Sequence, residues 1–333
     1  MKTRSIMIQT LCVPCCNRCR YCLLSWDGTL SGASYDRCER YAAAFHDWAK
    51  QNRQDLSVHF SFGYSMEHPA LFRAIDFMRS IGSPGGEFLQ MDGMRMRTEE
   101  ELRELMQGLS EHGVKALNFT FYGAEHYHDS FAWRKGDFAL TLRSAKVAMK
   151  AGLKVSAGIP VTRENAGQVE NLLSLLQRAG IQESRLFIPH EEGRGAELHQ
   201  IRCRLEEIEV WSPATAAKLN RSIYRTEEEW LQDKGYSEPK SRMLLLSLTK
   251  DNIDHLETTD FAKVIAELEA VDDRYYQSFP PVKELMCLYG DLQNRELFSM
   301  RDLELRYRRL YAAERRPALY DVTDERQSGS RRY

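Results

Sequence analysis

Long apolar runs are missing from this chain. No stretch approaches the ~20 residues of a membrane span, and residues 1–10 hold too short an apolar stretch for a signal-peptide core. A cytoplasmic protein is expected. An excess of one charge sign is also missing: 46 Lys and Arg against 48 Asp and Glu give a formal net charge of −2, which argues against a dedicated nucleic-acid binder. Cysteine is sparse and uneven: of eight, five fall within positions 12–22, and Cys203 and Cys287 alone lie beyond residue 38. That crowding does not suit an extracellular disulfide framework in a chain this long, which points to a reducing compartment. No internal repeat stands out beyond an alternation of strand and helix. What is present is ordinary for a globular protein, 43% hydrophobic and 28% charged, enough for a sizeable core.

Alternating apolar and polar residues over 5–11 predict a strand running into the cysteines. Tyr35, Cys38, Tyr41, Ala42, Phe45 and Trp48 then recur at helical spacing. Strands are expected at 56–62, 88–91, 116–121, 153–160 and 185–188, and helices at 69–81, 137–150 and 164–178. Thr98, followed by three glutamates, opens another helix, while Gly152 and Gly180 close two. Six strand-then-helix alternations predict a parallel sheet covered by helices, an α/β fold of the partial (β/α)6, TIM-like barrel type. Strand-end loops of such a fold gather on one rim. They would carry the cysteine run, Gly63-Tyr64-Ser65, Asp92-Gly93, Tyr122-Gly123, residues 161–165 and Gly193-Arg194-Gly195. Beyond residue 198 the pattern turns helical, with few strand candidates and a break at Pro280-Pro281. The expected organisation is a core over 1–198, a mainly helical C-terminal extension over 199–326 and a flexible tail over 327–333.

Cys15, Cys19 and Cys22 have Cys-x3-Cys-x2-Cys spacing. Thiolates are soft donors suited to iron–sulfur clusters; four would fill a cubane, and three leave one iron open to something other than protein. The alternative is a zinc site using Cys12, Cys15, Cys19 and Cys22, although a three-residue gap between the pairs is tight for zinc folds. Cys12 and Cys16 are otherwise spare thiols, and Cys38 belongs to the core.

The cysteine spacing, with Tyr21 before the last cysteine, resembles the radical S-adenosylmethionine (SAM) superfamily, over roughly residues 1–198. Residues 62–69 stand where that family has a Gly-Gly-Glu-Pro segment, here keeping one glycine, and Met91-Asp92-Gly93 stands for its Thr-Asn-Gly turn. Residues 120–123, His128-Asp129, residues 134–138 and residues 151–155 follow the track of members that modify peptides or certain aminoglycosides. The resemblance implies one [4Fe-4S] cluster on Cys15, Cys19 and Cys22. With too few later cysteines for auxiliary clusters, no further cluster is expected. It also implies that SAM binds the open iron and is cleaved by one electron to methionine and a 5′-deoxyadenosyl radical, which takes hydrogen from the substrate. By position, Tyr21 would flank the adenine, and Gly63, Tyr64 and Ser65 would meet the amino group. Asn118 or Thr120 would meet the ribose or carboxylate, Arg163 and Asn165 would face the same rim, and Ile188 would offer backbone to adenine.

The implied partners are a small-molecule or peptide substrate, foremost a ribosomal peptide or natural-product precursor, and a reductase or flavodoxin-type electron donor. Cys203 and Cys287 are candidate hydrogen-atom donors, as in epimerases of the superfamily, against a plain packing role. His68, His126, His128 and His190 are read as surface polar groups near the rim. Glu191-Glu192 would bind a cationic substrate group or be solvated, and Arg306, Arg308 and Arg309 would form a solvated helix face. Two other functions stay open: an activase that installs a radical on a partner enzyme, and a non-catalytic zinc-binding protein.

Overall fold

A computed structural model of the chain describes residues 2–10, 15–22, 32–63, 66–237, 240–315 and the backbone of 331–332. The strands are β1 (Lys2–Gln9), β2 (Ser57–Ser61), β3 (Phe88–Gln90), β4 (Ala116–Thr120), β5 (Lys154–Pro160), β6 (Glu183–Phe187), β7 (Ser241–Ser247) and β8 (Arg331–Arg332). Between the first six run α1 (Tyr35–Asn52), α2 (Leu71–Ser80), α3 (Glu99–Glu111), α4 (Glu125–Ala132), α5 (Asp137–Lys150) and α6 (Val169–Arg178). After β6 come α7 (Leu205–Glu209), α8 (Pro213–Ala216) and α9 (Glu227–Gln232). Beyond β7 follow α10 (Ile253–Thr258), α11 (Phe261–Gln277), α12 (Val282–Tyr289) and α13 (Met300–Arg315). The chain is thus an α/β protein with parallel strands and a mainly helical C-terminal region, the class expected.

Local chemistry explains the elements. Thr98 and Glu101 form a reciprocal capping box at the start of α3, and Leu102, Leu105, Met106 and Leu109 bury one face of that helix. Gly152 and Gly180 adopt φ of +83° and +98°, the left-handed stops expected of them. On β4 and β5, Leu117, Phe119, Ala157 and Ile159 are fully buried on one face, each worth about 1–3 kcal/mol according to size. The opposite face carries Asn118, Thr120, Ser156 and Gly158 in register with Gln90 of β3, and is polar and in part open.

The strands form two ladders, β3-β4-β5-β6 and β2-β1-β7-β8, parallel throughout except for β8. Between β2 and β3 a single side chain replaces strand pairing. The buried Ser83 hydroxyl accepts from Phe60 N–H (2.7 Å) and donates to Phe60 C=O (3.0 Å), satisfying β2 where a neighbour would. On the other side of β1, β7 pairs in parallel from Lys2↔Ser241 to Gln9↔Ser247. Few strands were expected beyond residue 198, and β7 is one that was not singled out. Its one-face apolar run, Leu244 and Leu246 buried, cannot be told from a helix by period over so short a length. Arg242, on the same buried face, ties α11 to the sheet through Asp272 and Asp273 and contacts Thr3 at 3.1 Å. No helix among the described residues is long and apolar enough to cross a membrane.

Candidate functional site

The cysteine loop leaves β1 and lies across the strand-end loops, as the barrel reading requires. Its backbone caps α4: Arg18 N–H donates to Ala132 C=O and Arg20 N–H to Phe131 C=O, both at 3.0 Å. Carbonyls that a helix end would leave orphaned are thereby used to hold the loop. Cys16 N–H donates to Gly93 C=O at 2.8 Å, and a side chain at Gly93 would lie 2.1 Å from the Cys15 sulfur. Gly93 also has φ of +71°, so both space and backbone demand glycine there. Arg194 N–H donates to Cys22 C=O at 3.0 Å, and Arg20 pairs with Glu164 at 2.8 Å. Loops after β3, β5 and β6, together with the end of α4, therefore converge on eight residues.

Beneath the loop runs a closed polar circuit. Cys19 Sγ lies 3.0 Å from the Tyr122 hydroxyl, and Tyr122 N–H donates to His128 Nδ1 at 3.2 Å. That bond leaves His128 Nε2 to donate to Asp137 Oδ2 (3.1 Å), which also accepts from Asn17 Nδ2 (2.9 Å). Arg134 donates to Asn17 Oδ1 at 3.0 Å and closes the circuit on the cysteine loop. His128 is completely buried, which corrects its reading as a surface polar group. None of this circuit was foreseen. The sequence signal lies in His128-Asp129 and residues 134–138, noticed as a pattern without a role.

Burial pushes the Cys15 thiol up to about 11 and raises Cys19 further, with the nearby Asp92 carboxylate adding to both. Burial likewise raises Asp92, which accepts from Thr120 N–H (3.0 Å), Thr120 Oγ1 (2.7 Å) and Gln90 Nε2 (2.6 Å). Asn118 continues the ladder, donating to Gln90 at 2.8 Å and accepting from Ser156 at 2.8 Å. Among the described residues no three Cys, His, Asp or Glu side chains already converge as metal ligands. The donor set nevertheless suits a soft metal group. Three thiols share one short loop, and two sit where a thiolate needs a compensating cation, which a metal supplies as it displaces the proton.

Tyr21 packs against Tyr122, Phe131 and Phe187, with centroids at 5.6, 5.9 and 6.2 Å, over the end of β6. Gly63 has φ of +66°; Tyr64 and Ser65 lie outside the described residues, as does Cys12. Asn165 is buried and fully engaged, donating to Tyr122 C=O (2.5 Å) and Pro160 C=O (2.8 Å) and accepting from Thr162 N–H (2.8 Å). It braces the rim from behind. Arg163 turns towards Glu207 (3.5 Å) and Glu296 (3.8 Å), away from the cysteines' partners. Ile188 is fully buried and its backbone meets the Tyr224 hydroxyl. Cys203 is also fully buried, and burial pushes its thiol up to about 12. Cys287 is exposed on α12, whose buried side is Val282, Leu285 and Met286.

Two further readings are corrected by packing. Glu191 is buried, pairing with Arg202 (3.1 Å) and Arg309 (3.3 Å), and Glu192 meets Arg301 at 3.4 Å. Both carboxylates are engaged by arginines of the protein itself; Glu191 is shut from solvent, whereas Glu192 keeps an exposed side. Arg308 is buried over the Tyr276 ring at 4.0 Å, so the face of α13 that carries it is packed. The partners lie far away in sequence, which is why the charges looked solvated.

No family model matches the sequence, and no curated protein matches it. Among solved structures, the chain is similar to Streptococcus suis SuiB bound to the precursor peptide SuiA, at 12% identity and TM-score 0.42, covering 57% of this chain and 40% of that one. It is similar to native anSMEcpe with bound AdoMet and Cp18Cys peptide, at 12% identity and TM-score 0.45, covering 93% and 97%. It is also similar to Escherichia coli coproporphyrinogen III oxidase, HemN, described as a radical SAM enzyme, at 10% identity and TM-score 0.42, covering 92% and 89%. The matched part spans 40% of SuiB and 53% of a second anSMEcpe structure.

Proposed function

We propose that the chain is a radical SAM enzyme in which Cys15, Cys19 and Cys22 hold a [4Fe-4S] cluster. The observation that carries this is the placement of a Cys-x3-Cys-x2-Cys loop at the end of a parallel strand, locked to the loops after β3, β5 and β6 and to the end of α4. When bound, the cluster would pass one electron to SAM, splitting it into methionine and a hydrogen-abstracting 5′-deoxyadenosyl radical.

The chain's own residues supply position and exclusion. Gly93 and the carbonyls of Phe131 and Ala132 fix the loop's path, and the Tyr122 hydroxyl lies within hydrogen-bond reach of Cys19 Sγ. Tyr21, in its aromatic cluster, offers a face for the adenine, and the partly open ladder of Asn118 with Thr120 offers polar groups beside it. Gly63, Tyr64 and Ser65 are assigned to the amino group and Ile188 to the adenine by position, whereas Asn165 acts through Tyr122. We further assign the catalytic core to 1–198, a ribosomal peptide or natural-product precursor as substrate, and a flavodoxin-type protein or reductase as electron donor. The substrate assignment is supported by the run from Thr120 through Phe138 to Val155.

The test is anaerobic reconstitution with iron and sulfide, reduction with dithionite, and chromatography after SAM is added. Formation of 5′-deoxyadenosine and methionine is expected. A colourless protein that takes up zinc and leaves SAM intact would refute the proposal.

A further inference from the structure

The loop after β6 presents an arginine that the described residues leave unanswered. Arg194 is half-buried, and its Nε and Nη2 atoms are shielded from solvent without a hydrogen-bond partner. Buried guanidinium donors rarely go unpaired, since leaving water without a replacement acceptor is unfavourable. Of the acids nearest in sequence, Glu191 pairs with Arg202 and Arg309 and Glu192 with Arg301, while Glu197 is exposed and makes no bond to Arg194. The unpaired atoms are also the informative pair. Nε and Nη2 present their N–H bonds side by side in one plane, the arrangement that meets the two oxygens of a carboxylate or phosphate. Arg308, the other arginine of this region with two shielded donors, lacks Nε and Nη1 partners instead and lies on an aromatic ring.

The backbone places Arg194 at the rim. Its N–H is bonded to Cys22 C=O at 3.0 Å, and the following Gly195 packs so closely that a side chain there would lie 2.1 Å from His190 C=O and 3.6 Å from Tyr21 C=O. The loop is therefore pinned to the two residues that end the cysteine run.

We propose that Arg194 is a ligand-binding residue that receives, through Nε and Nη2, a two-oxygen anionic group of a molecule bound against the cysteine loop. The anion is a carboxylate or phosphate; it belongs either to SAM, as its carboxylate, or to the substrate, which would then be anionic. This deepens the function proposed above and rests on it for the identity of the ligand, though not for the existence of the anion site.

The test uses the full chain and the variants Arg194→Gln and Arg194→Lys, the second keeping the charge while losing the paired geometry. Circular dichroism and melting temperature establish that both fold. SAM affinity is measured on reconstituted protein, and thermal stabilisation by acetate and by inorganic phosphate is measured on protein without metal. If SAM supplies the carboxylate, both variants should bind it about tenfold or more weakly than wild type. If the substrate supplies the anion, SAM binding should be unchanged, while acetate or phosphate stabilises wild type and neither variant. Equal behaviour of all three proteins in both measurements would overturn the proposal. A wild type that binds no iron or SAM, yet shows Arg194-dependent stabilisation by anions, would keep the anion site and remove the cofactor reading.

Discussion

The rim that carries the cysteines and the seam where the C-terminal region closes on the sheet are held by opposite means. At the rim, backbone bonds do most of the holding, helped by the Arg20–Glu164 pair and by Arg134 and Asp137 on Asn17, while the thiols and Arg194 are left with capacity to spare. Along the seam, the central buried cation, Arg202, is answered in full. Arg202 donates to Leu297 C=O (2.9 Å), Pro189 C=O (3.2 Å) and Glu191 (3.1 Å), pairs with Asp302 (3.3 Å), and lies 4.1 Å over Phe298. Arg194, from the same loop, has two shielded donors with no acceptor among the described residues. A saturated network fixes geometry, whereas an unsaturated one beside it is placed to receive a ligand. The seam therefore supports the rim without sharing its chemistry.

The largest expected effect would break the seam. Arg202→Met leaves the buried Glu191 paired with Arg309 alone and the buried Asp302 with His190 alone, and should destabilise the protein by about 3 kcal/mol in urea denaturation. A loss below about 1 kcal/mol would mean that the network is not structural. Next in size, Gly93→Ala attacks the rim. The new methyl meets Cys15 Sγ and forces a left-handed backbone, so a loss of about 2 kcal/mol and reduced iron uptake are expected. Unchanged iron content in that variant would show that Cys15 does not need its present position.

Acid sharpens the contrast. Burial alone would raise Asp302, but His190 and Arg202 overcome it and hold its carboxyl well below the usual carboxylate range. Its stabilising contribution is present above the unfolded carboxylate pKa of about 4 and is lost as pH falls towards the lower folded value. Stability measured from pH 6 down to 2 should therefore fall less steeply in Asp302→Asn than in wild type. The smallest effect is expected from Tyr122→Phe, which removes one hydroxyl contact to Cys19 and should cost about 1 kcal/mol with the fold intact.

Much of the sheet was legible because its signals are local. The β4 and β5 alternation, the Thr98 cap and the glycine stops at 152 and 180 each depend on a few neighbouring residues. The cysteine loop was legible for the same reason. What escaped was long-range or short in period. The helix α4 is eight residues long and carries three histidine-and-tyrosine positions, His126, Tyr127 and His128, in place of a clear apolar stripe. The pairing of β7 with β1 joins residues more than two hundred positions apart, for which β7's own sequence holds no register signal. The circuit from Cys19 through Tyr122, His128 and Asp137 to Asn17 joins three segments that meet in the folded chain. The state of Arg194 could not be read from sequence at all, because it depends on which arginine claims each neighbouring carboxylate.

The central claim is that three thiols of one loop hold an iron–sulfur cluster at which SAM is cleaved. It is tested most directly by reconstituting wild type and Cys19→Ala side by side and measuring iron, the electron paramagnetic resonance of the reduced protein, and 5′-deoxyadenosine. Wild type should bind about four irons per chain, show a reduced-cluster signal and form the nucleoside, and the variant should do none of these. Undiminished cleavage in Cys19→Ala, or a wild type whose metal is zinc, would contradict the account.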